Sequence, residues 1–195
     1  MEKQVNFKTM LKIICATSIP EFVPIIRTWT DKVLRNAYEL KFEAGEAPSG
    51  RNVRQKYTDI WAGDNAYVMF HDHDNLISTE IAHWLLWNIP QVGSAGMAPS
   101  ILMFDQIWFA SGPQRLIAKP ENCVPCKCDI SQLVVHASFL KGMVWTDRYE
   151  NDGDFISELY RRYPEHFVFV NGVNAWYNAL CPGKGKYNGE IKLIA

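Results

Sequence analysis

The chain has 195 residues, 48% of them hydrophobic and 21% charged, and a net charge of −1. That length supports one sizeable core, and the composition excludes a disordered chain. Near-neutral charge excludes a general attraction to nucleic acid or to an anionic membrane.

Residues 1–9 are polar and read as a lead-in. Leu11 to Ala16 is an apolar run that predicts a buried strand, and it is too short for a signal sequence or a membrane span. No transmembrane segment and a cytoplasmic setting are therefore expected. Ser18 and Glu21 have the spacing of a capping box, and the following helix places Phe22, Ile25, Ile26, Trp29, Val33 and Leu34 on one face. A second strand is expected over Tyr38 to Phe42, a loop over Glu43 to Gly50, a helix over Arg51 to Ala62 and a strand over Ala66 to Phe70. Ile77 to Trp87 predicts an apolar helix stopped by Pro90, and Gln91 to Ser100 a loop loose enough to act as a lid. Strands follow over Ile101 to Phe109 and Ile130 to Val135. A helix carries Phe155, Ile156, Leu159, Tyr160 and Tyr163. Phe167 to Val170 and Ala175 to Tyr177 read as a hairpin around Asn171-Gly172. Alternating strands and helices predict an α/β layered sheet, whose ligands sit at the carboxyl ends of strands.

The strand at Ala66 to Phe70 runs straight into His71-Asp72-His73-Asp74-Asn75. Two carboxylates one residue apart at the end of a buried strand repel one another unless a cation lies between them. Hard oxygen ligands suit Mg²⁺ or Mn²⁺, which would link Asp72 and Asp74 to a phosphorylated ligand. The bland alternative is that both acids cap turns. His71 and His73 raise a weaker alternative, a metal-dependent phosphohydrolase, which would need more histidines than His83, His136 and His166. A second acidic group, Glu150-Asn151-Asp152-Gly153-Asp154, precedes a helix. It offers a general base for an acceptor hydroxyl, or simply an N-cap.

Cys123, Cys126 and Cys128 are spaced as zinc ligands can be, with Asp129, His136 or Cys181 as a fourth, although ordinary loop thiols are the favoured interpretation. Trp145, Tyr149, Trp176 and Tyr177 are candidates for stacking on a sugar or base. Lys184 and Lys186 lie in a tail that could fold over a phosphate.

The order of these pieces resembles the nucleotide-sugar-dependent glycosyltransferases of the GT-A fold, most closely family 2. The resemblance rests on the first strand and helix, on Arg51-Asn52, on Gly63 to Asn75 with its D-x-D, and on Glu150 to Asp154. It implies a single Rossmann-like α/β domain over 1–195. Residues 10–100 would bind the nucleotide sugar, 101–180 would hold the acceptor and catalytic part, and 181–195 would form a flexible tail. It further implies a UDP-, GDP- or dTDP-sugar donor, a carbohydrate or other hydroxyl acceptor, and Mn²⁺ or Mg²⁺ on Asp72 and Asp74. Asp152 would be the base of an inverting displacement, with Glu150 and Asp154 as rivals. Thr17, Ser18, Ile19, Arg51 and His73 would join Asp72 and Asp74 around the donor. Where the family has a base-contacting aspartate after the second strand, only Glu43 or Glu46 is present. The competing functions are a phosphohydrolase or nucleotidyltransferase using the same aspartates, and a carbohydrate-binding module without catalysis.

Overall fold

The computed structural model describes residues 11–35, 38–45, 50–88, 99–108, 114–177 and 179–180. The lead-in, most of the expected lid at 91–98, and the tail with Lys184 and Lys186 lie outside them.

Eight strands join one mixed sheet in the order β2-β1-β3-β7-β5-β8-β4, with β6 paired to β5. They are β1 (Leu11–Thr17), β2 (Glu39–Ala44), β3 (Tyr67–Asp72), β4 (Leu76–Ile77), β5 (Ile101–Trp108), β6 (Gln114–Leu116), β7 (Leu133–His136) and β8 (Phe167–Tyr177). The helices are α1 (Val23–Leu34), α2 (Arg51–Trp61), α3 (Thr79–Asn88) and α4 (Asn151–Arg162). β1 pairs in parallel with both β2 and β3, whereas β7 is antiparallel to β3 and to β5. This is an α/β layered sheet, as the alternating pattern predicts, and it is mixed and flanked by helices, as the GT-A resemblance implies. Among the described residues, no helix is long and apolar enough to cross a membrane.

The apolar run of β1 follows from its place between two strands and two helical layers, which buries both of its faces. Ile14, Val68 and Phe70 point to one side and pack with Tyr57 and Trp61 of α2 and Phe155, Ile156 and Leu159 of α4. Ile13, Tyr67 and Met69 point to the other and meet Val33 and Leu34 of α1 and Ile81 and Leu85 of α3. Successive strand residues thus feed opposite cores, as the two-residue period requires.

Three local expectations fail for identifiable reasons. The Ser18–Glu21 capping box does not form. Thr17 Oγ1 instead accepts from the Ile19 amide at 3.1 Å, and a 3₁₀ turn over Pro20–Phe22 leads into α1. Asn171-Gly172 is not a hairpin turn, because β5 supplies a parallel partner along the whole of β8. The register steps from Phe104↔Val170 to Asp105↔Val173, so the Asn-Gly pair is absorbed as an irregularity within one long strand. The segment from Ile130 starts as a 3₁₀ turn rather than a strand. Asp129 caps it by accepting from Ser131 N at 2.9 Å, while Gln132 Oε1 accepts from Asp129 N at 3.0 Å.

Candidate functional site

β1 is flanked by β2 on one side and β3 on the other, so the chain order reverses there and a crevice opens at the carboxyl ends of these strands. Ala16 and Asp72, paired across β1 and β3, mark its floor. The cleft measures about 470 Å³. The first turn of α2 (Arg51, Asn52, Arg54) forms one wall and that of α4 (Asn151, Asp152) another. Two helix N-termini therefore border one cleft, and the backbone N–H groups of a helix's first turn favour an anion. Gly50 leads into α2 with φ +60°, and a Cβ there would come 2.5 Å from the Cβ of Ala16. Only glycine satisfies both demands.

Carboxylates crowd the far side of this cleft. Asp72 ends β3, Asp129 caps the turn before β7, and Asp152 sits in the first turn of α4. Each offers an oxygen within 4.8 Å of the others, so the three could hold one metal ion. The guanidinium of Arg54, only 4% exposed, bridges two of them, with Nη2 donating to Asp72 and Nη1 to Asp152. Its Cζ lies 5.1 Å from the ring centre of Trp145. Burial alone would lower the pKa of Arg54, but Asp152, Asp72 and Asp129 together more than offset this and raise it. Burial raises the pKa of Asp129, and Asp72 and Asp152 add to the rise. Asp152 is also raised by burial, although Arg54 opposes the shift. Asp74 is raised by burial and by its neighbour Asp72. The cluster therefore holds more negative charge than one arginine neutralises.

Two buried donors on the cleft walls find no acceptor among the described residues: Nε of Arg54 and Nδ2 of Asn151, the latter residue 2% exposed. A buried donor left unpaired is costly, and both atoms lie beneath the cleft surface with almost no exposure of their own.

Of the residues expected around the donor, Ser18, Arg51, Asp72, His73 and Asp74 line the cleft. Thr17 and Ile19 lie just behind and shape the turn that carries Ser18. Arg51 donates through Nε to the Trp145 carbonyl at 3.0 Å and pairs with Asp147. Of the three expected bases, Asp152 lines the cleft, whereas Glu150 and Asp154 are not among its lining residues. Glu150 lies 3.7 Å from Arg148, and Asp154 accepts from Thr146 Oγ1 at 2.7 Å. Glu43 pairs with Lys56 instead of facing the cleft, and Glu46 lies outside the described residues.

Sequence reasoning missed Arg54 as a site residue, and it named Asp129 only as a possible zinc ligand beside the cysteines, not as a partner of Asp72 and Asp152. Arg54 lies one helical turn before Thr58, on the buried face that also carries Val53, Tyr57 and Trp61. A charge at that spacing was the available signal. For Asp129 it was the D-x-x-Q box, which marks a cap but not its burial.

Among the stacking candidates, Tyr149 (90% exposed) and Tyr177 line the cleft. Trp145 is fully buried in the core, and Trp176 packs on Trp29 at 5.7 Å. His71 is fully buried with Nε2 3.0 Å from the Asn75 carbonyl, and burial pushes its pKa down to about 4. It is a neutral core group, and no histidine joins the metal-capable cluster among the described residues. Among the described residues, Cys123, Cys126 and Cys128 form no such cluster either, and Cys181 lies outside those residues. Burial pushes Cys123 up to about 11 and Cys128 up to about 12.

The cysteine loop matters structurally. A Cβ on Gly153 would lie 2.5 Å from Pro125 Cα and 3.2 Å from its nitrogen, so α4 starts in direct contact with that backbone. Helix propensity alone would have Gly153→Ala stabilise by about 1 kcal/mol. Overpacking against backbone should outweigh this and cost about 1–3 kcal/mol in urea unfolding. A midpoint at or above wild type would show that the loop yields.

No protein-family model and no curated protein sequence matches the chain. Among solved structures it is similar to a glycosyltransferase involved in the glycosylation of the major capsid of PBCV-1. The TM-score is 0.50 at 9% identity, over 86% of this chain and 94% of that one. The chain has a glycosyltransferase-like fold. At this identity the likeness extends to the fold and does not single out the family 2 type. Within this glycosyltransferase-like fold, the acid cluster and both helix N-termini meet in one cleft.

Proposed function

We propose that the protein is a metal-dependent glycosyltransferase, moving a sugar from a nucleoside-diphosphate donor to an acceptor hydroxyl with inversion at the anomeric carbon. The observation that carries this reading is the pairing, in one cleft, of two anion-seeking helix N-termini with a crowded set of carboxylates. The first suits a diphosphate. Within the second, Asp72 and Asp74 suit a hard cation and Asp152 suits a base. The glycosyltransferase-like fold supports the same reading.

In this proposal Asp72 and Asp74 hold Mn²⁺ or Mg²⁺. The donor set fits: both residues line the cleft and carry hard oxygens, and the pKa of Asp74 is raised first by burial and then by the charge of Asp72, which a cation between them would offset. When bound, such an ion supplies positive charge to a departing diphosphate. Ser18, Arg51 and His73 border the nucleotide, over a floor kept bare by Ala16, Gly45 and Gly50. Asp152 accepts the proton of the acceptor hydroxyl, and its raised pKa makes it a stronger base than an exposed carboxylate. Tyr149 and Tyr177 present rings at the rim against which an acceptor sugar can stack.

The test is a thermal-shift panel of UDP-, GDP- and dTDP-sugars with and without Mn²⁺. At about a hundred times Kd, binding to the native state adds about 2.7 kcal/mol. For a chain of this size that is a rise of about 5–10 °C in Tm. Asp74→Ala should lose the metal-dependent part of the rise. Release of nucleoside diphosphate then separates a transferase from a nucleotidyltransferase, which handles triphosphates. No metal-dependent shift with any nucleotide would defeat the proposal.

A further inference from the structure

We infer that Arg54 is the internal cation of the Asp72–Asp129–Asp152 cluster and keeps a divalent ion out of it. Given the glycosyltransferase reading, this leaves Asp152 free to act on the acceptor rather than on a metal.

The three carboxylate oxygens lie within 4.8 Å of one another, close enough for a small inward shift to bring them onto one Mg²⁺, whose ligands stand at ~2.0–2.1 Å. The guanidinium already lies among them, joined to Asp72 and Asp152, with 5% of its side chain exposed. It is tied to α2 and lies over Trp145, whose Nε1 donates to Thr58 Oγ1 at 3.0 Å. A divalent ion entering the cluster would have to give up its water and displace the guanidinium from both carboxylates. Arg54 is also incompletely satisfied, with a buried Nε lacking any acceptor among the described residues. Asp74 stands outside the cluster, so an ion on Asp72 and Asp74 is not the ion that Arg54 excludes.

Arg54→Met keeps the length and apolar contact of the side chain but removes its charge. Mn²⁺ is titrated in phosphate-free buffer at neutral pH, with free Mn²⁺ read by electron paramagnetic resonance. Arg54→Met should gain a site about ten- to a hundredfold tighter than any in the wild type, the scale on which neighbouring groups set metal affinity. Adding Asp129→Asn should remove the gain, whereas adding Asp74→Ala should leave it. Should Arg54→Met fold only with metal, Mn²⁺ will raise its Tm far more than that of the wild type, and that outcome also supports the inference. Arg54→Lys, which keeps the charge without the fork, should show little gain. Equal Mn²⁺ affinity in wild type and Arg54→Met overturns the inference, as does a gain that survives Asp129→Asn. A purely structural arginine would lower stability without changing metal affinity. Because the readout uses Mn²⁺ alone, its failure leaves the nucleotide-sugar panel to decide the function separately.

Discussion

Asp152→Asn is expected to lower sugar transfer by about 10²–10⁴-fold, the range that a positioned general base contributes. The amide keeps the shape of the carboxylate and still offers an oxygen to Arg54, but it cannot take a proton. Asp72 and Asp129 remain beside the guanidinium, so the buried positive charge is not stranded and Tm should stay within a few degrees of wild type. Donor binding should persist, because Asp72 and Asp74 are untouched. In the wild type, transfer should fall as pH drops through the pKa of Asp152, where the base becomes protonated. Burial raises that pKa, so the acid limb should lie above the ordinary carboxylate range. The measurement is nucleoside diphosphate release against pH with the donor found by thermal shift. Transfer within tenfold of wild type in Asp152→Asn would assign the base to another group, with Glu150 and Asp154 next in line.

Trp145→Ala should be among the most destabilising single changes in the chain, costing about 3–5 kcal/mol. The indole is fully buried, stacks on Phe155 at 4.2 Å and meets Phe70 edge-on at 5.2 Å. Its backbone amide donates to Gln55 Oε1 at 2.8 Å, and its carbonyl accepts from Arg51. One residue therefore joins α2, α4 and β3, the three elements that carry Arg54, Asp152 and Asp72. Tm should fall by about 10 °C. Trp145→Phe keeps most of the area but leaves Thr58 without its donor, for a loss nearer ~1–2 kcal/mol. Urea unfolding of both variants checks the order. A loss under ~1 kcal/mol for the alanine would show that the cavity collapses freely.

The legible part of the site is the part written locally. D-x-D after an apolar run is a statement about neighbours in sequence, and β3 does end at Asp72. Arg51 does begin a helix, and the acids from Asp152 do stand in the first turn of another. The local rule fails where a tertiary partner offers more. Asn171-Gly172 has the chemistry of a turn, yet β5 takes the strand on both sides of it. The place of Trp145 in the chain, near the second acidic cluster, suggests a cleft aromatic. Its burial depends on Phe70, which lies 75 positions earlier and reaches it only through the packing of α4 on the sheet.

From its residues alone the chain determined an alternating α/β layering and the strand end that carries Asp72 and Asp74, because hydrophobic period and turn chemistry act over a few residues. Only the folded molecule decided that Asp129 and Asp152 come within one ion's reach of Asp72, and that Arg54 lies among them. Such an arrangement is set by how helices dock across a sheet. The electrostatic strength of these groups arises only once water has been excluded around them.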